Sequence, residues 1–303
     1  MFSTLLGVLP ADPGGPAMAG DEAAWRLDDV AALGAAGLDL VSDGSAPAGP
    51  DQPIETTVVA WHAAATASAV PAKAVLLGPY SSARLTGADG LETAERIRAT
   101  ILALAAAGCP LVEIAEPDAL AIATDPSEAA TFAAAHRRLV DGAEGVHCSL
   151  ALTGGNLDTA GPATFFDLAY ASYAFDLIAG PDNWRLIVDA PQDRGIVCGA
   201  IGLAPGADDS REVLVWAAHY AASTNGRGLA RVGLANAPAR PGEALPTRVE
   251  MLRRLAIVAD ATRLAGVESG EELARSLDPR AIDARSAGLG RFEPAARRGR
   301  NAP

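Results

Sequence analysis

Short apolar runs alternate along this chain with longer, alanine-rich stretches, and this alternation constrains the fold more than any other feature. The runs end at Gly, Pro or a polar residue, as the buried strands of a parallel sheet do. The predicted strands are Thr4–Leu9, Leu38–Val41, Lys73–Leu77, Pro110–Ile114, a strand that begins at Gly145, Phe175–Ile178, Ile196–Ile201 and Ala230–Ala235.

The stretches between these runs carry helical signals. Asp125 followed by Pro126, with Glu128 in the first turn, is typical of a helix N-terminus. The predicted helices cover about Asp21–Ala36, Glu55–Ala69, Leu91–Ala107, Asp125–Asp141, Pro162–Ala174, Asn183–Asp189, Asp209–Ser223 and Thr247–Ala265.

Strands that alternate with helices at regular spacing, eight times over, predict a single-domain (β/α)8 barrel, or TIM barrel, over residues 1–267. The alternative is an open doubly wound sheet. It is disfavoured because no glycine fingerprint opens the first β-α turn. Residues 268–303 are predicted to be a C-terminal extension with a disordered basic end.

The composition narrows the class of partner. Half of the residues are apolar but only 5% are aromatic, so the core must be built from Ala, Val, Leu and Ile. The formal net charge of -13 argues against nucleic acid or an anionic membrane as partner. Three widely spaced cysteines suggest no disulfide framework, and no targeting or membrane-spanning pattern is present. The sequence therefore predicts a cytoplasmic protein with a small-molecule substrate.

In a barrel of this kind, functional side chains lie where strands end and β-α loops begin. The candidates at the predicted strand ends are Asp43, Ser45, Tyr80, Ser81, Glu116, His147, Cys148, Asn156, Asp176, Cys198 and Asn236. Apart from the histidine and the two cysteines, these residues are predicted to contact the substrate.

Glu116 is the predicted catalytic residue. A carboxylate that precedes proline at the end of an apolar strand is costly to bury without a partner. It would act as a base or bind a cationic group, and the alternative is a salt bridge to an arginine at the barrel rim. His62, His136 and His219 are predicted to lie on helix surfaces or in helix packing.

The stretch Gly145–Asn156 is predicted to be the fifth strand, running into a glycine-rich loop at the pocket floor. His147 and Cys148 are adjacent, and neighbours on a regular strand point to opposite faces. They could share a metal only across a bulge or at the strand end. Otherwise one lines an apolar pocket and the other packs against a helix. Cys198 is a weak further ligand or a core residue, and Gly154–Asn156 binds an anion or forms a plain turn.

Several sequence segments, taken in their order along the chain, resemble the C-terminal catalytic domain of the cobalamin-independent methionine synthase family, within a wider group that includes uroporphyrinogen decarboxylase. The resemblance covers roughly residues 3–266. These segments are Leu6–Pro10, Ala36–Ser45, Lys73–Pro79, Ala107–Pro117 and the predicted helix that follows Leu245-Pro246.

This resemblance implies methyl transfer to a thiol such as homocysteine, from a folate or corrinoid donor, in methionine biosynthesis. In that family a zinc ion binds the thiol as thiolate, which makes it a nucleophile near neutral pH. The resemblance implies zinc ligands from a His-x-Cys on strand five, a Glu after strand six and a Cys after strand eight.

Most of these ligand positions hold other residues here. The His-x-Cys slot matches Val146–Cys148, so Cys148 is the only retained ligand, while the later positions fall on Gly180-Pro181 and near Asn236. Ser45 and Ala115 also replace acidic residues of the family. Two alternatives to methyl transfer therefore stay open: a zinc-free barrel that binds a small molecule or a partner, and a metal-free decarboxylase-like enzyme.

Overall fold

In a computed structural model, the described residues are 1–10, 22–45, 47–143, 145–203, 210–239 and 243–267, and they form a barrel of parallel strands surrounded by helices. The strands are β1 (Phe2–Thr4), β2 (Val41–Ser42), β3 (Ala72–Leu77), β4 (Val112–Glu116), β5 (Cys148–Leu152), β6 (Ser172–Asp176), β7 (Gly195–Ile201) and β8 (Val232–Asn236).

Helices follow the strands along the chain. They are α1 (Glu22–Ala35), α2 (Ile54–Ala67), α3 (Pro79–Thr86), α4 (Gly90–Ala106), α5 (Pro126–Val140), α6 (Pro162–Phe166), α7 (Trp184–Asp189), α8 (Arg211–Ser223) and α9 (Arg248–Ala265). Within the described part of the chain, no helix has the length and apolar character needed to cross a bilayer.

The strands pair in the order β1-β8-β7-β6-β5-β4-β3-β2, and every pair is parallel. A parallel bridge between Thr4 and Leu40 brings the two ends of this sheet together. The N–H groups of Asp39 and Leu40 both donate to the carbonyl of Ser3. The predicted (β/α)8 barrel is therefore confirmed.

The two faces of the strands bury different kinds of side chain. The outer face contributes large residues to the main core between the sheet and the helices. The interior of the barrel is instead lined by small residues, because Ala151, Ala174 and Ala235 cluster there with Val197 and Leu6. An interior of small side chains leaves space that must be filled by other groups.

Helix ends follow the sequence signals closely. The Asp125 side chain accepts a hydrogen bond from the Ser127 N–H at 2.8 Å and caps α5, with Pro126 as its first residue. Asp89 caps α4 in the same way. The Thr247 hydroxyl caps α9 by accepting from the Glu250 N–H at 3.3 Å. These bonds satisfy N–H groups that have no partner within a helix.

Several boundary predictions were wrong, among them those at β1, β2, α6 and β6. The first strand, predicted over Thr4–Leu9, ends at Thr4, and the chain then turns across the barrel. The second, predicted over Leu38–Val41, is Val41–Ser42. The helix predicted over Pro162–Ala174 ends at Phe166, and the strand predicted over Phe175–Ile178 begins earlier, at Ser172. The last two errors share a cause, since the largely apolar stretch over residues 162–178 does not separate helix from strand by periodicity.

Helix α3 was missed from the sequence. It begins after Gly78, with Pro79 as its first residue, and ends at Gly87, whose φ of 74° is left-handed. Glycine adopts this conformation without steric cost, so it commonly terminates helices. The predicted extension, residues 268–303, lies outside the described residues.

Candidate functional site

Glu116, the predicted catalytic residue, is fully buried on the outer side of β4, where the start of α3 covers it. Its carboxylate accepts hydrogen bonds from the N–H of Tyr80 at 3.0 Å and the N–H of Ser81 at 2.8 Å. The Ser81 hydroxyl donates a further bond at 2.5 Å. Glu116 therefore caps the N-terminus of α3, where a negative charge is favourable.

The same carboxylate contacts a histidine from α5. Nε2 of His136 lies 2.9 Å from Oε1 of Glu116, although out of line for a hydrogen bond, and its Nδ1 lies 2.6 Å from the hydroxyl of Tyr170. All three side chains are fully buried. The arginine partner considered for Glu116 from the sequence was therefore wrong. His136 belongs to this buried polar chain and not to a helix surface.

Gly78 shows how tightly this carboxylate is enclosed, because a Cβ at that position would overlap the Glu116 side chain. The remaining contacts of α3 also point away from the barrel mouth. The Tyr80 hydroxyl donates to Glu128 of α5 at 2.6 Å, and its ring packs edge-on against Phe132. The geometry gives Glu116, Tyr80 and Ser81 a positioning role at the β3-α3 junction, and a catalytic role for Glu116 stays a prediction.

Asp43 and Ser45 lie just after β2. Asp43 is buried, and burial raises the pKa of its carboxyl to about 7, although the Ser45 N–H donates to it at 3.2 Å. Arg26 of α1 donates to the Ser45 hydroxyl at 3.3 Å. A carboxyl group that titrates near neutral pH is suited to proton transfer, but this one is enclosed between loop and helix.

Asn156 and Asp176 connect two neighbouring loops. The Asn156 side chain donates to the Asp182 carboxylate and accepts from the Asp182 N–H, both at 2.9 Å. Asp176 accepts from the N–H groups of Ile178 at 3.0 Å and Ala179 at 2.8 Å. These bonds order the loops after β5 and β6.

The His147-Cys148 pair lies at the amino-terminal end of β5, away from the end where barrel sites are built. The strand runs from Cys148 to Leu152, so the prediction that this pair lies near the loop at the pocket floor was wrong. Nε2 of His147 lies 2.9 Å from the Ser172 hydroxyl, and Cys148 packs in the main core, where burial raises the pKa of its thiol to about 12.

Cys198 is equally unsuited to bind a metal from the barrel mouth. It is fully buried on the outer face of β7, with its sulfur 4.0 Å from the carbonyl of Ala217 in α8. Burial raises the pKa of this thiol to about 12. A zinc ligand must be a thiolate, and burial in apolar surroundings opposes that form.

The residues present do not fit the zinc site that the resemblance implies. Among the described residues, no three His, Cys, Asp or Glu side chains converge as a metal site would require. The ends of β6 and β8 carry Asp176 and Asn236, and both side chains bond to nearby backbone groups.

Two charged residues that sequence reasoning missed lie inside the barrel. Lys73 of β3 and Glu113 of β4 are 1% and 2% exposed and form an ion pair between Nζ and Oε2. Lys73 is the one charge of β3, and Glu113 is one of two glutamates in the otherwise apolar β4; these charges within apolar runs were the available signal. Their pairing depends on the register between β3 and β4, which the sequence does not provide.

An apolar cleft of about 460 Å³ opens at the carboxyl-terminal face, between the segments that follow β1, β7 and β8. Asn236 is the one predicted substrate contact that lines it; the other polar contributors are the Gly7 backbone and Glu243. Apolar residues make up most of the described wall: Leu6, Val8, Pro10, Leu203, Pro238, Ala239 and Leu245.

Comparisons with known proteins give likeness in structure only. No family model matches the chain, and no curated protein matches it in sequence. A B12-independent methionine synthase from Shewanella sp. W3-18-1, solved with selenomethionine, superposes with a TM-score of 0.62 at 15% identity, over 86% of this chain and 97% of the other.

Two further structures are similar. A putative vitamin-B12 independent methionine synthase from Listeria monocytogenes has a TM-score of 0.61 at 15% identity, covering 82% of this chain and 87% of its own. A D-psicose 3-epimerase from Clostridium cellulolyticum H10 has a TM-score of 0.51 at 12% identity, covering 88% of this chain and 99% of its own. Because proteins with different activities share this architecture, these likenesses show that the chain has the (β/α)8 barrel fold of these enzymes.

Proposed function

We propose that this protein binds an apolar small molecule in the cleft at the carboxyl-terminal face of its barrel, and that it does so without a zinc-bound thiolate. The observation that carries the proposal is the cleft itself. Its volume of about 460 Å³ suits a small metabolite, and its position is where barrels of this fold bind ligands.

The chemistry of the lining indicates the ligand class. Leucine, valine and proline side chains dominate the wall, and Glu243 is the one ionisable residue among the described residues that line the cleft. A mostly apolar ligand that presents few polar groups would therefore bind best, since its burial supplies the driving force. Among the described residues that line the cleft, none is basic.

Methyl transfer to a thiol is the second candidate, and the likeness in fold is the observation that favours it. The methyl group would come from a folate or corrinoid donor. The reaction also requires a metal or another group that activates the thiol. The buried thiols of Cys148 and Cys198 and the bonded side chains at the ends of β6 and β8 do not supply such a centre.

A ligand screen monitored by thermal denaturation tests the first proposal. Apolar metabolites are expected to raise the melting temperature equally with and without a chelator, because binding stabilises the folded state. Ala239→Trp, which fills the cleft from its rim, should abolish the shift. Ala169→Trp, in an open groove of about 570 Å³ beside α5, is the matched control and should retain it. A shift that requires zinc would contradict the proposal.

Metal analysis and a methyl-transfer assay distinguish methyl transfer, the second candidate, from zinc-free ligand binding. The proposal expects far less than one zinc per chain, and no transfer of a labelled methyl group from methyltetrahydrofolate or methylcobalamin to homocysteine. One zinc per chain that is lost in Cys148→Ser, together with measurable transfer, would establish the methyltransferase function instead.

A further inference from the structure

The ion pair inside the barrel takes no part in the cleft wall. Lys73 is the only lysine of the chain, and both it and Glu113 are almost completely buried. Apolar side chains of similar volume often replace a buried ion pair without loss of stability. Overall stability alone therefore does not explain the ion pair. The other hydrogen bonds of Lys73 and Glu113 indicate a further structural role.

Those bonds converge on the short segment Leu5–Gly7, which follows β1. The Lys73 ammonium donates to the carbonyl of Leu5. The N–H of Gly7 donates to the second oxygen of Glu113, Oε1, at 2.7 Å. The two charged side chains therefore fix the backbone on both sides of Leu6, through one acceptor and one donor.

Leu6 occupies the space that small residues leave in the barrel. Its side chain clusters with Ala151, Ala174, Val197 and Ala235. A Cβ added at Gly199 would lie 2.9 Å from the Leu6 Cδ1 atom, so even one more methyl group on β7 would collide with it. Barrels of this fold normally fill their interior with bulky residues from the strands themselves.

Leu6 also belongs to the cleft, because Leu6 and Gly7 both line it. The Leu6 N–H donates to Oδ1 of Asn236 at 3.2 Å, which ties the segment to the end of β8. The Leu6 side chain thus lies between the cleft and the small residues of the barrel interior. Its position depends on the bonds that Lys73, Glu113 and Asn236 make to the backbone around it.

We propose that Lys73 and Glu113 form a latch that holds Leu6 as a plug between the cleft and the barrel interior. Opening the latch releases the Leu5–Gly7 segment, and the interior then becomes continuous with the cleft. The inference goes beyond the proposed function and does not require a ligand, so its test is independent of ligand binding.

The experiment places a reporter thiol beneath the plug with Ala151→Cys and measures its reaction with N-ethylmaleimide by mass spectrometry. In a Lys73→Met/Glu113→Leu background, the labelling rate should rise about tenfold or more, because the segment opens locally more often. Exchange of the Gly7 amide hydrogen should accelerate with it. Leu6→Ala should also speed labelling, while the Gly7 amide keeps its protection because the latch is intact.

Glu116→Gln is the matched control, since it alters a buried glutamate of the same strand on the outer face. It should leave both the labelling rate and the Gly7 amide unchanged. Glu113→Gln supplies a second test, because it keeps an oxygen for the Gly7 N–H but leaves the Lys73 ammonium without its counter-charge, and it should also raise the labelling rate. The latch is overturned if Glu113→Gln and the double variant label as slowly as the parent, or if Glu116→Gln labels as fast as they do.

Discussion

Strand β4 carries two buried glutamates whose surroundings differ on its two faces. Glu113 faces the barrel interior, where the Lys73 ammonium neutralises it. Glu116 faces the helices, where the N–H groups at the start of α3 and the His136 ring surround it. The difference shows that a buried carboxylate near a strand end does not by itself mark a catalytic site. The partners around it decide what it can do.

The largest expected loss of stability comes from removing one partner of the Lys73–Glu113 ion pair. Glu113→Leu strands the Lys73 ammonium in the barrel and should lower the free energy of unfolding by about 3–5 kcal/mol, as loss of one partner from a buried pair does. Urea denaturation measures it. Adding Lys73→Met should recover most of this loss. If the double variant is as unstable as the single one, the pair contributes to stability through packing and not through charge.

A smaller loss is expected on the outer face. Glu116→Ala leaves the N–H groups of Tyr80 and Ser81 without their acceptor and should cost about 2–3 kcal/mol. Glu116→Gln keeps one oxygen and should cost roughly half as much. Equilibrium denaturation compares them with Glu128→Gln, which alters the bond to the Tyr80 hydroxyl and a partly exposed ion pair with Arg84 but leaves the N-terminus of α3 capped. Equal losses in all three variants would refute the capping role of Glu116.

Asp43 extends the comparison to a buried carboxyl group whose nearby charges, Arg26 and Lys73, only partly offset the effect of burial. Burial raises its pKa from 3.8 to about 7, so the folded state keeps a proton that the unfolded chain loses. The contribution of Asp43 to the free energy of unfolding should therefore fall as pH rises from about 4 to about 7, by at most about 1.4 kcal/mol per pH unit, and then level off.

Asp43→Asn should remove this part of the slope, since an amide does not titrate. The measurement is urea denaturation at several pH values, with Asp51→Asn as an exposed control. The same slope between pH 4 and pH 7 in the wild type and in Asp43→Asn would show that Asp43 is ionised in the folded protein over this range.

The barrel was predictable because the alternation of apolar runs and helices is a local signal repeated along the whole chain. The helix ends at Asp125 and Thr247 were equally local. The prediction failed between Pro162 and Ser172, where the Tyr173 hydroxyl bonds the carbonyls of Phe165 and Leu168. A tertiary contact ends that helix, and sequence periodicity does not record it.

The candidate site was predictable only in part. Strand ends could be located, and Asn236 does line the cleft. Position at a strand end also drew attention to Glu116, but its hydrogen-bonding partners come from α3, which was not predicted. The ion pair of Glu113 was not predicted because its partner Lys73 lies on another strand, and the register between strands is set by long-range pairing.

The central claim is that the apolar cleft, and not a metal centre at the strand ends, is the ligand site. A fluorescence titration with the apolar dye N-phenyl-1-naphthylamine in the presence of EDTA tests it most directly. The account predicts saturable binding of one dye per chain, loss of binding in Ala239→Trp, and unchanged binding in Ala169→Trp. Binding that disappears with EDTA, or that Ala239→Trp leaves intact, would contradict it.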